Sequence, residues 1–370
     1  MGKRIEFANT IRGVASVIVM LAHYIISFSA FSGGYGGLPP IDGGVFTDTA
    51  EILGFGMASF SYGALGVALF FLVSGFVIPL SLTKLTKKKF GILAFAISRI
   101  IRIWPVYIVG FSISLIFRWF SFHNSSISDG YTMLDVLSHI TLFRDWIGGI
   151  PLDGVAWTLE IEIKFYLIST IFAYATVNGK QYITLFSIFM AFIGYYLKNN
   201  PESYFVLPIG VLNCFQFIVF MTIGTNLFLL YSGVISRNKA SIWILASLLS
   251  FIYVTPSENK VGYVIAFLVF LSCYIGRDSF TGGAITSFFA KISYPMYVTH
   301  ALFGYVTMWY MISIGINQYI ALIIQVAITI YLSYLIHKYV EVKSQQIGKR
   351  ASEIITGDIK MESHKSRSMS

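Results

Sequence analysis

Six ionisable side chains stand inside apolar runs where a charge is costly: Arg12, His23, Glu160, Glu162, Lys164 and His300. Groups at such depth mark a functional site by default, because each needs a partner or a polar cavity. Arg12 and His23 are eleven residues apart. At about 100° per residue they fall within about 20° of one helix face, roughly 17 Å apart along the axis. An imidazole there is a candidate base or nucleophile, and a guanidinium binds phosphate or a developing oxyanion. The plainer alternative has Arg12 reaching the headgroups and His23 bonded to a backbone carbonyl.

The second cluster is Trp157, Thr158, Leu159, Glu160, Ile161, Glu162, Ile163, Lys164, Phe165 and Tyr166. Glu160 and Lys164 have the i, i+4 spacing of a helical ion pair and are expected to neutralise each other. Glu162 lies about 200° round the helix from Glu160 and lacks that partner. Its depth, about 12 Å from the outer end, matches that of His23, so the two are expected to pair and orient the imidazole. A packing-only contact between helices is the alternative. Arg99 and Arg102 share a face behind Lys87, Lys88 and Lys89. Planar guanidinium groups suit phosphate oxygens; anchoring to lipid headgroups is the competing reading. His300 sits about seven residues inside a run and reads as a satisfied core histidine. Glycines near Ser74 allow close helix approach. His123, His139, His337 and His364 carry no motif, and no Gly-rich phosphate loop, zinc spacing or G-x-S-x-G elbow occurs.

These residues need a membrane fold to position them. The chain is 56% hydrophobic and only 12% charged over 370 residues, too little charge for the surface of a soluble enzyme. Its 33 Phe and 23 Tyr exclude disorder, and its two cysteines, both in apolar runs, exclude a disulfide scaffold. Apolar runs long enough to cross a bilayer occupy about 11–31, 62–82, 91–119, 154–177, 181–198, 207–231, 240–256, 261–276, 293–313 and 317–339. The expected fold is all-α, a polytopic integral membrane protein of about ten transmembrane helices. Of the 26 Lys and Arg, 21 fall on one side, four (Arg118, Arg144, Lys198 and Lys260) on the other, and Lys164 inside a span. That asymmetry puts both termini in the cytoplasm, as an even span count also requires. The net charge of +9 is assigned to this asymmetry, not to nucleic acid. The N-terminal run lacks a small-residue cleavage site and reads as a retained helix. The loop at 120–153 is the longest outer segment with room for an interfacial helix. Residues 1–345 form the membrane domain, and 346–370 a flexible basic cytoplasmic tail.

Five motifs in order resemble the integral-membrane acyltransferase 3 family. Arg12 and His23 match its R-x10-H signature. Gly66 to Phe76 is similar to its G-V-x-x-F-F-x-x-S-G-F stretch, which contains Ser74. Arg99, Arg102 and Pro105 match R-x-x-R-x-x-P. Trp157, Thr158, Leu159, Glu162, Phe165 and Tyr166 match W-[ST]-L-x-x-E-x-x-F-Y, with Lys164 where Gln is common. Ser293, Tyr294, Tyr297 and His300 match S-Y-x-x-Y-x-x-H. Glu341 stands near the family's closing Glu, with Val342 and Lys343 replacing the usual Pro.

The resemblance implies an O-acyltransferase, most often an O-acetyltransferase, in a bacterial inner membrane among its lipids. It implies a cytoplasmic acyl-CoA donor, usually acetyl-CoA, and a hydroxyl acceptor on a cell-surface or lipid-linked polysaccharide. No metal, no bound cofactor and no fused extracytoplasmic hydrolase-like domain after the last helix are expected. Arg99 and Arg102 are the expected donor-binding residues. His23, Arg12 and Glu162 are the expected catalytic ones, and Trp157, Ser74, Tyr297 and His300 support them. His23 acts either as base on the hydroxyl or as acyl carrier. The competing class is a transporter or flippase of sugars or lipids with an Arg/His/Glu relay. It lacks the inverted repeat and paired broken helices such proteins show. A scaffold for polysaccharide synthesis leaves the buried charges without a purpose.

Overall fold

The computed structural model describes residues 5–31, 40–41, 44–49, 61–122, 132–149, 151–200 and 209–358. Lys3, Arg4, Asp42, Glu51, Lys360, Lys365 and Arg367 lie outside the described residues, as do His123 and His364. Among the described residues all regular structure is helical. Helix α1 (Glu6–Ala22) passes through a π turn (His23–Ser27) into the short α2 (Phe28–Phe31). Then come α3 (Tyr62–Leu85), α4 (Gly91–Phe122) and two short helices, α5 (Met133–Thr141) and α6 (Arg144–Ile147). The middle of the chain holds α7 (Ala156–Ile171), α8 (Ala173–Val177), α9 (Tyr182–Asn199), α10 (Ile209–Tyr231), α11 (Arg237–Val254) and α12 (Ser257–Ile275). The last group is α13 (Ala284–Thr299), α14 (Leu302–Ser313), α15 (Gln318–Ile336), a second π turn (His337–Glu341) and α16 (Val342–Thr356).

Among the described residues, five helical stretches are long and apolar enough to cross a membrane: Glu6–Ala30, Tyr62–Leu85, Gly91–Phe117, Gly210–Tyr231 and Gln318–Thr356. The protein is an all-α polytopic membrane protein. Helix α3 is its hub, packed against α1, α10 and α12. It meets α10 backbone to backbone, where a Cβ on Gly75 would lie 2.0 Å from the Met221 carbonyl oxygen. One on Gly224 would lie 2.3 Å from that of Leu72. Only glycine permits this approach, and it fixes the height of Ser74.

Two of the expected spans are divided. The run at 154–177 breaks at Phe172, between α7 and α8. The run at 293–313 breaks at His300 and Ala301. There the Tyr297 carbonyl, which a continued helix would offer to the Ala301 N–H, accepts from Nδ1 of His300 instead, at 2.9 Å. The loop expected to hold an extra helix contains α5, closed by a reciprocal cap between Thr132 and Asp135. The tail expected to be flexible from residue 346 is helical to Thr356. Its α16 lies along α4, where Gly348 lets it settle on the Ser98 carbonyl and Lys88 pairs with Asp358.

Candidate active site

A cavity of about 130 Å³ lies between α1, α3, α4, α7 and α13. Its polar end is basic. Arg12, near the start of α1, donates from Nε to the Ser293 hydroxyl at 2.7 Å. Arg99 on α4 donates from Nη2 to the Ser81 hydroxyl at 2.7 Å, and its guanidinium lies over the rings of Phe95 and Tyr166. Arg102, one turn on, lines the same space. Two hydrogen-bonded serines and two rings thus set the position of two of the three cations.

The helices also order the cavity by depth. Along α3, Ser81 and Ile78 stand at the basic end, Ser74 in the middle and Phe70 and Val67 farthest in. Along α13, Ser293 is followed by Tyr294, Tyr297 and then His300, a rise of about 10 Å. Along α7, which runs the opposite way, Tyr166 stands at the basic end, then Glu162, Leu159 and Thr158. All but Ser81 and His300 line the cavity. At the far wall the Tyr297 hydroxyl meets that of Thr158 and donates to the Val155 carbonyl at 3.1 Å.

Beyond that wall stands the imidazole pair. The His23 and His300 rings are edge to face, with centroids 4.8 Å apart. His23 is partly exposed and its Nδ1 is 2.5 Å from the Tyr305 hydroxyl. His300 is 1% exposed. The Tyr297 ring is 5.6 Å from that of His300, so the cavity wall and the pair are in contact. Both histidines sit at helix irregularities, His23 opening a π turn and His300 at the α13 break, where π turns in particular tend to mark function.

The expected Glu162–His23 pair does not form. Glu162 accepts from the Ser74 hydroxyl at 2.9 Å and from the Tyr166 hydroxyl, and feels the charges of Arg12 and Arg99. It faces the arginines because three cations in one cavity need a counter-charge more than a neutral ring does. The partner of His23 is Tyr305, which the sequence reading missed. It lies 282 positions away on a helix that starts afresh after a break, so no periodicity links the two.

The Glu160–Lys164 ion pair is also replaced. Glu160 pairs with Arg144 at 3.2 Å and Lys164 with Asp145 at 2.8 Å, both from α6. The Lys164 ammonium donates to the backbone carbonyl of Glu160, at 3.3 Å, and not to its carboxylate. These crossed pairs pin α6 to α7 and leave Glu162 alone facing the cavity. Trp157 packs on Phe71 and Phe217 behind the cavity wall and does not line it.

Asp153, in the loop before α7, is 3% exposed, and its Oδ1 accepts from the Val155 N–H at 3.1 Å. Burial pushes its carboxyl up to about 7. The folded chain therefore holds this proton where the unfolded chain has lost it, and stability falls as pH rises from about 4 to about 7. At 1.36 kcal/mol per pH unit the full effect is on the order of 4 kcal/mol. Asp153→Asn is expected to remove that slope, so thermal melts of wild type and variant at pH 5 and pH 8 should diverge at the higher pH.

The family profile described as an acyltransferase domain matches residues 5–338. The chain belongs to the acyltransferase 3 family. It is a multi-pass membrane acyltransferase, and the profile covers every residue of the cavity and of the imidazole pair. No curated protein and no solved structure matches the chain.

Proposed function

We propose that this acyltransferase moves a short acyl group, acetyl in the first instance, from cytoplasmic acyl-CoA to a hydroxyl. The acceptor hydroxyl belongs to a cell-surface or lipid-linked polysaccharide, and the membrane is a bacterial inner membrane with the lysine-rich end in the cytoplasm. The observation that carries the reading is the gradient inside one cavity. Three arginines stand at the basic end, Ser74 and Glu162 stand among apolar side chains in the middle, and an imidazole pair stands behind the far wall. That order matches the donor, which is anionic at its nucleotide, mixed apolar and amide-bearing along its arm and reactive at its tip.

Arg12, Arg99 and Arg102 hold the phosphates through charge-assisted bonds. Arg12 belongs to this group and not to the reacting centre, since about 17 Å of helix separates it from His23. Glu162 offsets the arginine charge and keeps their geometry when no donor is bound. His23 reaches the acceptor side through its exposed edge and takes the hydroxyl proton as oxygen attacks the thioester carbon. Tyr305 accepts from Nδ1–H of His23, which leaves Nε2 bare for that task. The carbon–sulfur bond then breaks, the ester forms and the thiol leaves toward the cytoplasm.

The test uses the full chain in nanodiscs with radiolabelled acetyl-CoA and envelope glycans. Binding together with thiol release and labelled glycan is expected. A folded sample that binds no acetyl-CoA would move the assignment to transport. Tyr305→Phe is expected to lower turnover about 10–100-fold at unchanged donor affinity, a loss comparable with removing the partner that orients a working histidine. Wild-type turnover by that variant would show that the tautomer is set elsewhere.

A further inference from the structure

His300 has bonding that packing alone does not explain. Its Nδ1 lies 3.0 Å from the Met296 carbonyl oxygen and 2.9 Å from that of Tyr297. Carbonyl oxygens only accept, so Nδ1 carries the proton and Nε2 is a bare lone pair. That Nε2 is buried and has no hydrogen-bond partner among the described residues. Buried acceptors are nearly always satisfied, and one left open beside a reactive group is a candidate for chemistry. The neighbours of the ring give it a direction. On one side is His23, partly exposed and edge to face at 4.8 Å; on the other is Tyr297, the wall of the donor cavity, at 5.6 Å.

We propose that His300 is the second imidazole of a proton relay joining the acceptor side of the site to the donor side. The inference rests on the O-acyl transfer reading above and adds a step to it. The proton lost from oxygen must end on sulfur. Of the two rings, His23 has the exposed edge and His300 is the one against Tyr297 on the donor side, so His300 is placed to return that proton to sulfur. His23 takes the proton as the carbon–oxygen bond forms, and its imidazolium passes it to the bare Nε2 of His300. From there it goes to the thiolate released on the Tyr297 side as the carbon–sulfur bond breaks. The net change is one ester and one thiol from one thioester and one hydroxyl, with both rings returned to their starting state.

The test compares His300→Gln and His300→Gly with wild type, reading acetyl-CoA affinity, turnover and azole rescue. Donor affinity in His300→Gln is expected to stay within about threefold, while turnover falls about 10²–10³-fold. In His300→Gly, added imidazole is expected to restore turnover, whereas 1,2,4-triazole, of the same shape but a far weaker base, does not. Turnover within threefold of wild type in His300→Gln would overturn the relay. So would equal rescue by both azoles, which would mean cavity filling, or loss of donor binding in His300→Gln, which would mean a structural role. Absence of transfer by wild type is a different failure, that of the acyltransferase reading for these substrates.

Discussion

His23→Ala is expected to lower ester formation about 10²–10⁴-fold while the protein still inserts and binds acetyl-CoA at near wild-type affinity. The loss corresponds to about 3–5 kcal/mol of activation free energy. Donor affinity should survive because His23 stands behind the wall formed by Tyr297, outside the cavity that carries the arginines. The removed ring leaves Tyr305 and His300 without their shared neighbour, so some local repacking is expected. His23→Gln, closer in shape, should show the same loss of turnover with less disturbance. The measurement is thiol release and labelled glycan, beside equilibrium binding of labelled acetyl-CoA. Ester formation by either variant at the wild-type rate would remove His23 from the chemistry.

The second large effect is expected in the opposite observable. Replacing both Arg99 and Arg102 with Gln should weaken acetyl-CoA binding by at least about 10²-fold, since each charge-assisted bond contributes about 1.5–3 kcal/mol. Turnover at saturating donor should change far less, because neither arginine lies beside the imidazole pair. The wild-type affinity should also fall with added salt more steeply than that of the variant. If donor affinity is unchanged, the basic patch serves topology or lipid contact and the donor enters elsewhere. Glu162 bears on the same measurement, since it offsets the cations from the cavity side through Ser74 and Tyr166.

The sequence by itself determined the class of fold and which side chains had to be explained. A chain this apolar can satisfy its backbone in a bilayer only as helices, so the all-α membrane class follows from composition, whereas the breaks at Phe172 and His300 do not. It also determined the separation of Arg12 and His23, about 17 Å along the first helix, because the rise per residue of an α-helix is fixed. What it did not determine was every contact between helices distant in the chain. Matched depth suggested Glu162 for His23, yet depth says nothing of azimuth, and helix rotation turns Glu162 toward the arginines. Local spacing suggested Glu160 with Lys164, yet a short helix from the preceding loop offered both a better partner. The role of His300 depended on a break that no periodic pattern announces, where a side chain takes a carbonyl from the backbone. Spacing along one helix is fixed by covalent geometry and is legible at once. Which face meets which neighbour is decided by packing between helices, here by Gly75 against Met221 and Gly224 against Leu72, and only the assembled bundle holds that information.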